Sequence, residues 1–288
     1  MYSLNRPRGP SGKRTTDSFT LIELLVVISI IAVLAAMLLP TLAKAKFSAQ
    51  VSNCGSNYKE WGCACNVYAT DNQKGCYPSF PVEGGNGPGE NVTDASTNFL
   101  TNMNPYGMSV PMYFCPTKPG VFAADDAKCI ILTGHHIENT GDLTQCYLNP
   151  WHFVVLDCML FWVPRPDPTS TPLPDNYFPW APGLSHPSDF FDPQPPTYNL
   201  TDIANGGWPV KMSDPSASKQ PVVSDYCLAP GAVTNTNVNQ IDPYTGHWFG
   251  GKLDGVNVGF ADGHVEMHPR AVVAWHMHGN ARQQTWFY

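Results

Sequence analysis

The chain is poor in charge. Asp, Glu, Lys and Arg make up 14% of its 288 residues, against about 25% in an average soluble domain. Basic residues are scarcer than acidic ones, 16 against 23, for a formal net charge of −7. A nucleic-acid binder normally carries a basic patch or stripe, so nucleic acid is not an expected partner. The nine cysteines contain no C-x-x-C pair, which excludes zinc-ribbon, thioredoxin-like and haem-attachment spacings. Gly-x-Ser-x-Gly, phosphate-loop and dinucleotide fingerprints are missing too, so no motif announces an enzyme. Glycine shows no three-residue period, which excludes a collagen-like repeat. Apolar residues are plentiful: 43% of the chain is hydrophobic, with 8 Trp and 14 Phe. That is ample for a core and excludes global disorder.

The longest apolar run lies near the start. From Phe19 to Leu39 there are 21 residues with one charge, Glu23. As a helix at about 1.5 Å per residue they would span roughly 31 Å, enough to cross a hydrocarbon core. Ahead of them stand Arg6, Arg8, Lys13 and Arg14, with Asp17 the one acid. Basic residues before an apolar span keep the leader cytoplasmic and place the chain beyond Pro40 outside the inner membrane. An ordinary secretory signal has a shorter apolar stretch, about 7–15 residues, and ends in a small-residue cleavage site. Here Leu34-Ala35-Ala36 is followed by more apolar sequence. A plain anchor explains the length but not Glu23, because a carboxylate within an apolar span costs a few kcal/mol and needs a partner.

The basic leader, Ser18-Phe19-Thr20-Leu21-Ile22-Glu23 and the apolar run together resemble the prepilin signal of type IV pilins and type II secretion pseudopilins. The resemblance implies cleavage between Ser18 and Phe19 by a prepilin peptidase, then N-methylation of Phe19. It also implies that Glu23, fifth in the mature chain, neutralises a neighbouring subunit's N-terminal amine during assembly. The family usually has Gly before the cut, where this chain has Ser18. Pro40 matches the Pro that often follows the apolar stretch.

Beyond Pro40, Phe47, Val51, Cys54, Tyr58, Trp61, Cys65 and Tyr68 recur at alternating spacings of 4 and 3. That is one apolar stripe on a helix, and it needs a cover. Gly55 and Gly62 each weaken such a helix by about 1 kcal/mol relative to Ala, so tertiary packing must hold it. A C-terminal sheet is the natural cover. The helical period is lost from Gly75, and residues 82–98 read as an exposed loop. Cys129-Ile130-Ile131-Leu132, Phe153-Val154-Val155-Leu156 and Pro221-Val222-Val223-Ser224 suit buried strands. Residues 164–198 are proline-rich and read as a long surface excursion. Val256 to Ala261 and His264 to His268 flank Asp262-Gly263, which predicts a β-hairpin with a two-residue type I′ turn.

The phrase from Gly255 to Glu266 resembles the C-terminal motif of a large pseudopilin-like family of Planctomycetes and Verrucomicrobia. There a His stands nine residues ahead of the Asp-Gly pair. Here that place is taken by Lys252, and the nearest upstream His is His247, fourteen residues ahead. Ser52-Asn53-Cys54, Tyr68 to Asn72, Tyr113-Phe114-Cys115-Pro116 and Val222-Val223-Ser224-Asp225 fit the same family.

Candidate chemistry is sparse. Nine cysteines outside the cytoplasm favour structural disulfides with at least one thiol left over; buried thiols and metal ligation are the alternatives. His264 with His268, His276 with His278, and His135 with His136 form pairs, but a zinc site needs three or four converging ligands. Surface and hairpin-packing roles fit them better. Major pseudopilins often bind calcium near the C-terminus, and by locality Asp242, Asp254, Asn257 and Asp262 are the calcium candidates. Trp151, Trp162, Trp180, Trp208, Trp248, Trp275 and Trp286 offer either core or a glycan-stacking face.

The expectation is an α+β, type IV pilin-like fold, with a long N-terminal helix packed on a C-terminal antiparallel sheet with long loops. Its parts are a cytoplasmic leader (1–18), a transmembrane and assembly helix (19–40), an extracytoplasmic amphipathic helix (41–72) and a globular β domain (73–288). The expected role is a structural filament or pseudopilus subunit, not an enzyme. Its partners are prepilin peptidase, other pilin subunits and the inner membrane. The alternative is an anchored or filament-tip surface protein that binds polysaccharide.

Overall fold

The computed structural model of the 288-residue chain describes residues 19–78, 80, 94–148, 153–156, 158–160, 197–198, 208–209, 211–229, 237–278 and 285–288. Two compact units divide it, Met1–Lys46 and Phe47–Tyr288. Helix α1, Leu21–Asp71, runs through the boundary and carries Pro40 inside it.

From Leu21 to Leu39, in the first unit, the helix is apolar on every side apart from Glu23 and Ser29. Leu21, Ile22, Ile31 and Leu38 are 83, 71, 58 and 64% exposed. Among the described residues these side chains stand exposed, which fits lipid or a neighbouring subunit and not water. The helix contains an 18-residue window of mean hydropathy 2.9 with nothing buried, long and apolar enough to cross a membrane.

The second unit is α+β. It comprises the rest of α1, then β1 (Asp94–Ser96), α2 (Thr97–Met103), α3 (Pro119–Thr133), α4 (Thr140–Leu148), β2 (Phe153–Val155), β3 (Cys158–Leu160), β4 (Thr197–Tyr198), β5 (Pro221–Asp225), β6 (Leu228–Ala229), β7 (His247–Phe249), β8 (Lys252–Phe260), β9 (Val265–Pro269), β10 (Trp275–His278) and β11 (Thr285–Phe287). The central sheet is antiparallel. β8 pairs with β9 on one side and with β5 and β7 on the other, and β3 extends the sheet beyond β5. A second antiparallel sheet runs β4-β10-β11-β6, and β1 pairs with β2.

The apolar stripe of α1 is covered in part by this central sheet, at Tyr58, and in part by α2 and the 3₁₀ segments around Tyr106 and Tyr113, against Trp61 and Tyr68. Val51, Cys54, Tyr58, Trp61 and Cys65 are buried, while Phe47 and Tyr68 are half-buried at its ends. The helix can approach because small residues meet there. A Cβ on Gly62 would lie 3.1 Å from the Gly263 Cα, and one on Gly259 would lie 3.2 Å from the Tyr58 Cβ. The glycines that weaken α1 as an isolated helix are therefore where it touches the sheet. Trp61 is fully buried; its indole N–H donates to the Met112 carbonyl at 2.9 Å and its ring stacks on Phe99 at 5.6 Å. The other face of β8 presents Val256, Val258 and Phe260 to a second core with Trp208, Leu228 and Phe287.

Three expectations need correction. Cys129 to Leu132 is not a strand but the end of α3. A four-residue apolar run carries no period, so the flanks decide: Pro119 starts the helix, and Gly134 (φ 85°) ends it by donating to the Ile130 carbonyl. Of that run Cys129 is buried, while Ile130, Ile131 and Leu132 are exposed. Second, the end of the supposed loop 82–98 is β1 and the start of α2, whose Asn98 N–H is capped by the Ser96 hydroxyl; residues 82–93 lie outside the described residues. Third, the β8–β9 hairpin exists, but its loop is Ala261-Asp262-Gly263. The Phe260 N–H donates to the His264 carbonyl, and the Gly263 N–H to the Phe260 carbonyl. Gly263 takes the left-handed position (φ 91°) that a three-residue loop places last. Val222 to Ser224 is a buried strand, as expected. The proline-rich segment 164–196 lies outside the described residues, and Thr197–Tyr198 forms β4.

Candidate functional site

Two places on the chain carry groups that chemistry or assembly could use. The first is the start of α1. Thr20 and Glu23 form a reciprocal cap: the Glu23 N–H donates to the Thr20 hydroxyl oxygen at 3.3 Å, and Glu23 Oε2 accepts the Thr20 N–H at 2.8 Å and the Thr20 O–H at 2.7 Å. A Thr-x-x-Glu box satisfies two of the orphan donors of a helix end. It also gives the carboxylate a local partner at the mouth of an apolar helix, where a lone charge is costly. Phe19 is exposed, and Ser18 lies outside the described residues.

The second place is buried, and sequence reasoning did not assemble it. Among the described residues, one group of cysteine, histidine and carboxylate side chains converges: Cys54, Cys115, Asp225 and His247, with donor atoms all within 4.8 Å of one another. They are 1, 4, 1 and 0% exposed, so water does not reach them. Each comes from a different element. The α1 stripe turns Cys54 inward, and Cys115 lies just past the 3₁₀ turn Val110–Tyr113. Asp225 ends β5, and His247 begins β7.

The contacts are short. Cys54 Sγ lies 3.1 Å from Asp225 Oδ1. His247 Nε2 lies 3.3 Å from Cys115 Sγ and 3.2 Å from Asp225 Oδ2. Around them, the Tyr58 hydroxyl donates to Asp225 Oδ1 at 2.7 Å and the Asn257 N–H to Oδ2 at 2.5 Å. The Thr117 hydroxyl sits 2.9 Å from Cys115 Sγ. His247 Nδ1 is buried without a hydrogen-bond partner, so the ring is held through Nε2.

The electrostatics arise from burial and crowding. Contact with Cys54 and then with His247 holds the Cys115 thiol well below its usual range, against the opposing cost of burial. Cys54 is pushed up by the bond to Cys115, by burial and by the Asp225 charge. Burial raises Asp225, which His247 partly offsets. For His247, burial acts downward, but Asp225 and Cys115 outweigh it and raise the ring. Burial and the Asp225 charge push the Tyr58 hydroxyl up, which keeps it a donor.

The residues singled out from sequence fall elsewhere. Asp254 stands near the start of β8 and Asp262 in the loop past its far end, so at about 3.3 Å per residue of strand they are roughly 20 Å apart. The Asn257 amide is committed to the Val51 carbonyl at 2.9 Å. Asp262 holds His264 at 2.5 Å within the hairpin, and Asp242 accepts the Tyr244 N–H at 2.9 Å. The calcium candidates therefore do not converge on one ion. His268 pairs with Glu266 at 3.0 Å, His136 with Asp126 at 2.7 Å, and His276 stacks on Tyr288. The expected disulfides are not formed: among the described residues, which include all nine cysteines, there is none. Cys54 and Cys115 instead join the buried cluster; Cys65, Cys129, Cys146, Cys158 and Cys227 are buried elsewhere, Cys76 is half-buried and Cys63 is exposed. Trp208 is core; Trp151, Trp162, Trp180 and the side chain of Trp286 lie outside the described residues.

Signals for the cluster did exist. Cys54, Cys115 and Asp225 each end or occupy a phrase that fits the pseudopilin-like family, and His247 is the nearest upstream His to the Asp-Gly pair. Nothing in one dimension says that they meet.

Residues 14–39 match the family described as the prokaryotic N-terminal methylation motif. No curated protein and no solved structure matches the chain.

Proposed function

We propose that this chain, which carries a type IV pilin-like prepilin signal, is a structural subunit of a type II secretion-like pseudopilus or a type IV pilus-like filament. Prepilin peptidase cuts between Ser18 and Phe19 and methylates the new amine. The chain waits in the inner membrane through α1, with its leader cytoplasmic and residues beyond the span outside. It then joins other pilin subunits through the exposed apolar surface of α1. One observation carries the reading. Glu23 is the one charge in the apolar run Phe19 to Leu39, whose large side chains stand exposed among the described residues, and it is fifth in the mature sequence. In the single chain its carboxylate closes the helix cap. In a filament the ammonium of an adjacent Phe19 replaces Thr20 as its partner, because a carboxylate and an ammonium are tolerable together in an apolar medium and costly apart.

Two substitutions separate capping from assembly. Glu23→Gln keeps an oxygen for the Thr20 N–H but removes the charge; Glu23→Ala removes both. Both variants should insert and be processed to a chain beginning at residue 19, read by intact mass, and neither should enter sheared filaments or a pseudopilus fraction. Normal assembly of Glu23→Gln would leave Glu23 as a helix cap alone and remove the observation on which the filament role rests.

A second reading, a filament-tip protein that grips polysaccharide, is favoured by an open cavity of about 400 Å³ lined by Tyr244, Trp248, Lys118 and Thr117. Tyr244 is 85% exposed there, as a stacking platform would be. Binding of an insoluble polysaccharide that disappears in Tyr244→Ala with Trp248→Ala would support it.

A further inference from the structure

We propose that Cys54, Cys115, Asp225 and His247 bind a zinc ion in a closed, structural site that cross-links α1, the segment after the 3₁₀ turn, β5 and β7.

Geometry comes first. A tetrahedral zinc with bonds of about 2.3 Å to sulfur and about 2.0–2.2 Å to nitrogen and oxygen has edges of about 3.3–3.8 Å. With Asp225 Oδ2 as the carboxylate ligand, two edges measure 3.2 and 3.3 Å; with Oδ1, two measure 3.1 and 3.3 Å; and one choice of donor atoms places all four within 4.8 Å of one another. Contractions of at most about 1 Å between donors bring them to bonding distance.

Donor chemistry comes second. Two sulfurs, one imidazole and one carboxylate form a borderline-soft set. Calcium and magnesium take oxygen ligands, and an iron–sulfur cluster takes four thiolates or, in Rieske centres, two thiolates and two imidazoles. A mixed tetrahedral set of thiolate and imidazole points to zinc. All four positions come from the protein and all four side chains are buried, which is the arrangement of a structural site and not of a catalytic one.

The charge balance gives the third reason. Three groups able to become anions are packed around one imidazole in a place closed to water. Burying them without a compensating cation is costly. Zinc displaces the two thiol protons to solvent and leaves a net charge of one negative on the site.

The surroundings orient the ligands as an outer shell does. Tyr58 and the Asn257 N–H fix the two oxygens of Asp225, and Thr117 meets the Cys115 sulfur. The site rests on this geometry alone and stands whether or not the chain assembles into filaments.

The test uses the full chain in detergent, purified without chelator. Metal content should give a single zinc per chain. Cobalt exchanged for zinc should show thiolate-to-metal charge-transfer absorption and the visible bands of a tetrahedral ion. Cys115→Ser and His247→Gln should lose the stoichiometric zinc, while Cys63→Ser, at an exposed position of α1, should keep it. Should Cys115→Ser fail to fold, Cys115→His retains a fourth ligand and should bind cobalt with a weaker charge-transfer band. Three results overturn the proposal: a folded, reduced chain that takes up neither metal; zinc retained by both ligand variants; or a Cys54–Cys115 disulfide in peptide maps made after blocking thiols, with the chain two hydrogens lighter.

Discussion

Gly55 and Gly62 lie two turns apart on α1, and the same substitution should move stability in opposite directions at the two sites. Replacing a helical Gly with Ala stabilises the helix by up to about 1 kcal/mol, by restricting the unfolded chain. At Gly55 a Cβ would meet only side-chain atoms of Asn257 and Val265, at 3.7–3.8 Å. That is ordinary contact, so the full gain is expected. At Gly62 the new carbon would lie 3.1 Å from the Gly263 Cα and 3.4 Å from the Phe260 carbonyl oxygen. Both are backbone of the hairpin, one in its loop and one at the end of β8, and neither can rotate away. Overpacking costs about 1–3 kcal/mol, so Gly62→Ala should lose up to about 2 kcal/mol net. Gly62→Val, with two further methyls, should lose more. For a domain of this size about 1 kcal/mol moves the midpoint roughly 2–4 °C. Thermal and denaturant unfolding of the full chain in detergent reads all three variants against the parent. If Gly62→Ala stabilises as much as Gly55→Ala, α1 does not lie on the hairpin loop at this distance and the packing argument fails.

Gly263→Val should cost about 1–3 kcal/mol although a Cβ there meets nothing within 4 Å, because φ of 91° is strained for a branched residue; Gly263→Asn should cost much less, and equal losses in unfolding titrations would contradict a backbone origin. At the buried Asn257, whose amide donates to the Val51 carbonyl, Asn257→Asp should destabilise more than Asn257→Leu at neutral pH, since it sets a carboxylate against a carbonyl oxygen. Burial raises the folded pKa of the introduced acid above its unfolded value, so the excess loss should shrink as pH falls and the protonated acid can donate; a pH-independent difference between the two variants would refute this account.

Local chemistry made much of this protein legible in one dimension. The span from Phe19 to Leu39 needs only length and hydropathy to be read, and Thr20-x-x-Glu23 caps its start through neighbours three residues apart. The stripe from Phe47 to Tyr68 comes from helical period, and its burial from the cost of leaving such a face in water. Asp-Gly with alternating flanks marked the β8–β9 hairpin, because a turn is closed by residues already adjacent. Where local signals were silent or ambiguous, tertiary structure decided. The run at Cys129 has no period, so the caps at Pro119 and Gly134 made it a helix. Gly55 and Gly62 read as helix-weakening until the sheet beneath them gave a reason for the missing side chains. The buried cluster is the extreme case. Cys54 and His247 are separated by most of the chain, and their meeting depends on α1 lying across β5, β7 and β8. Composition and spacing record which donors exist, but the distances among them are set by packing alone.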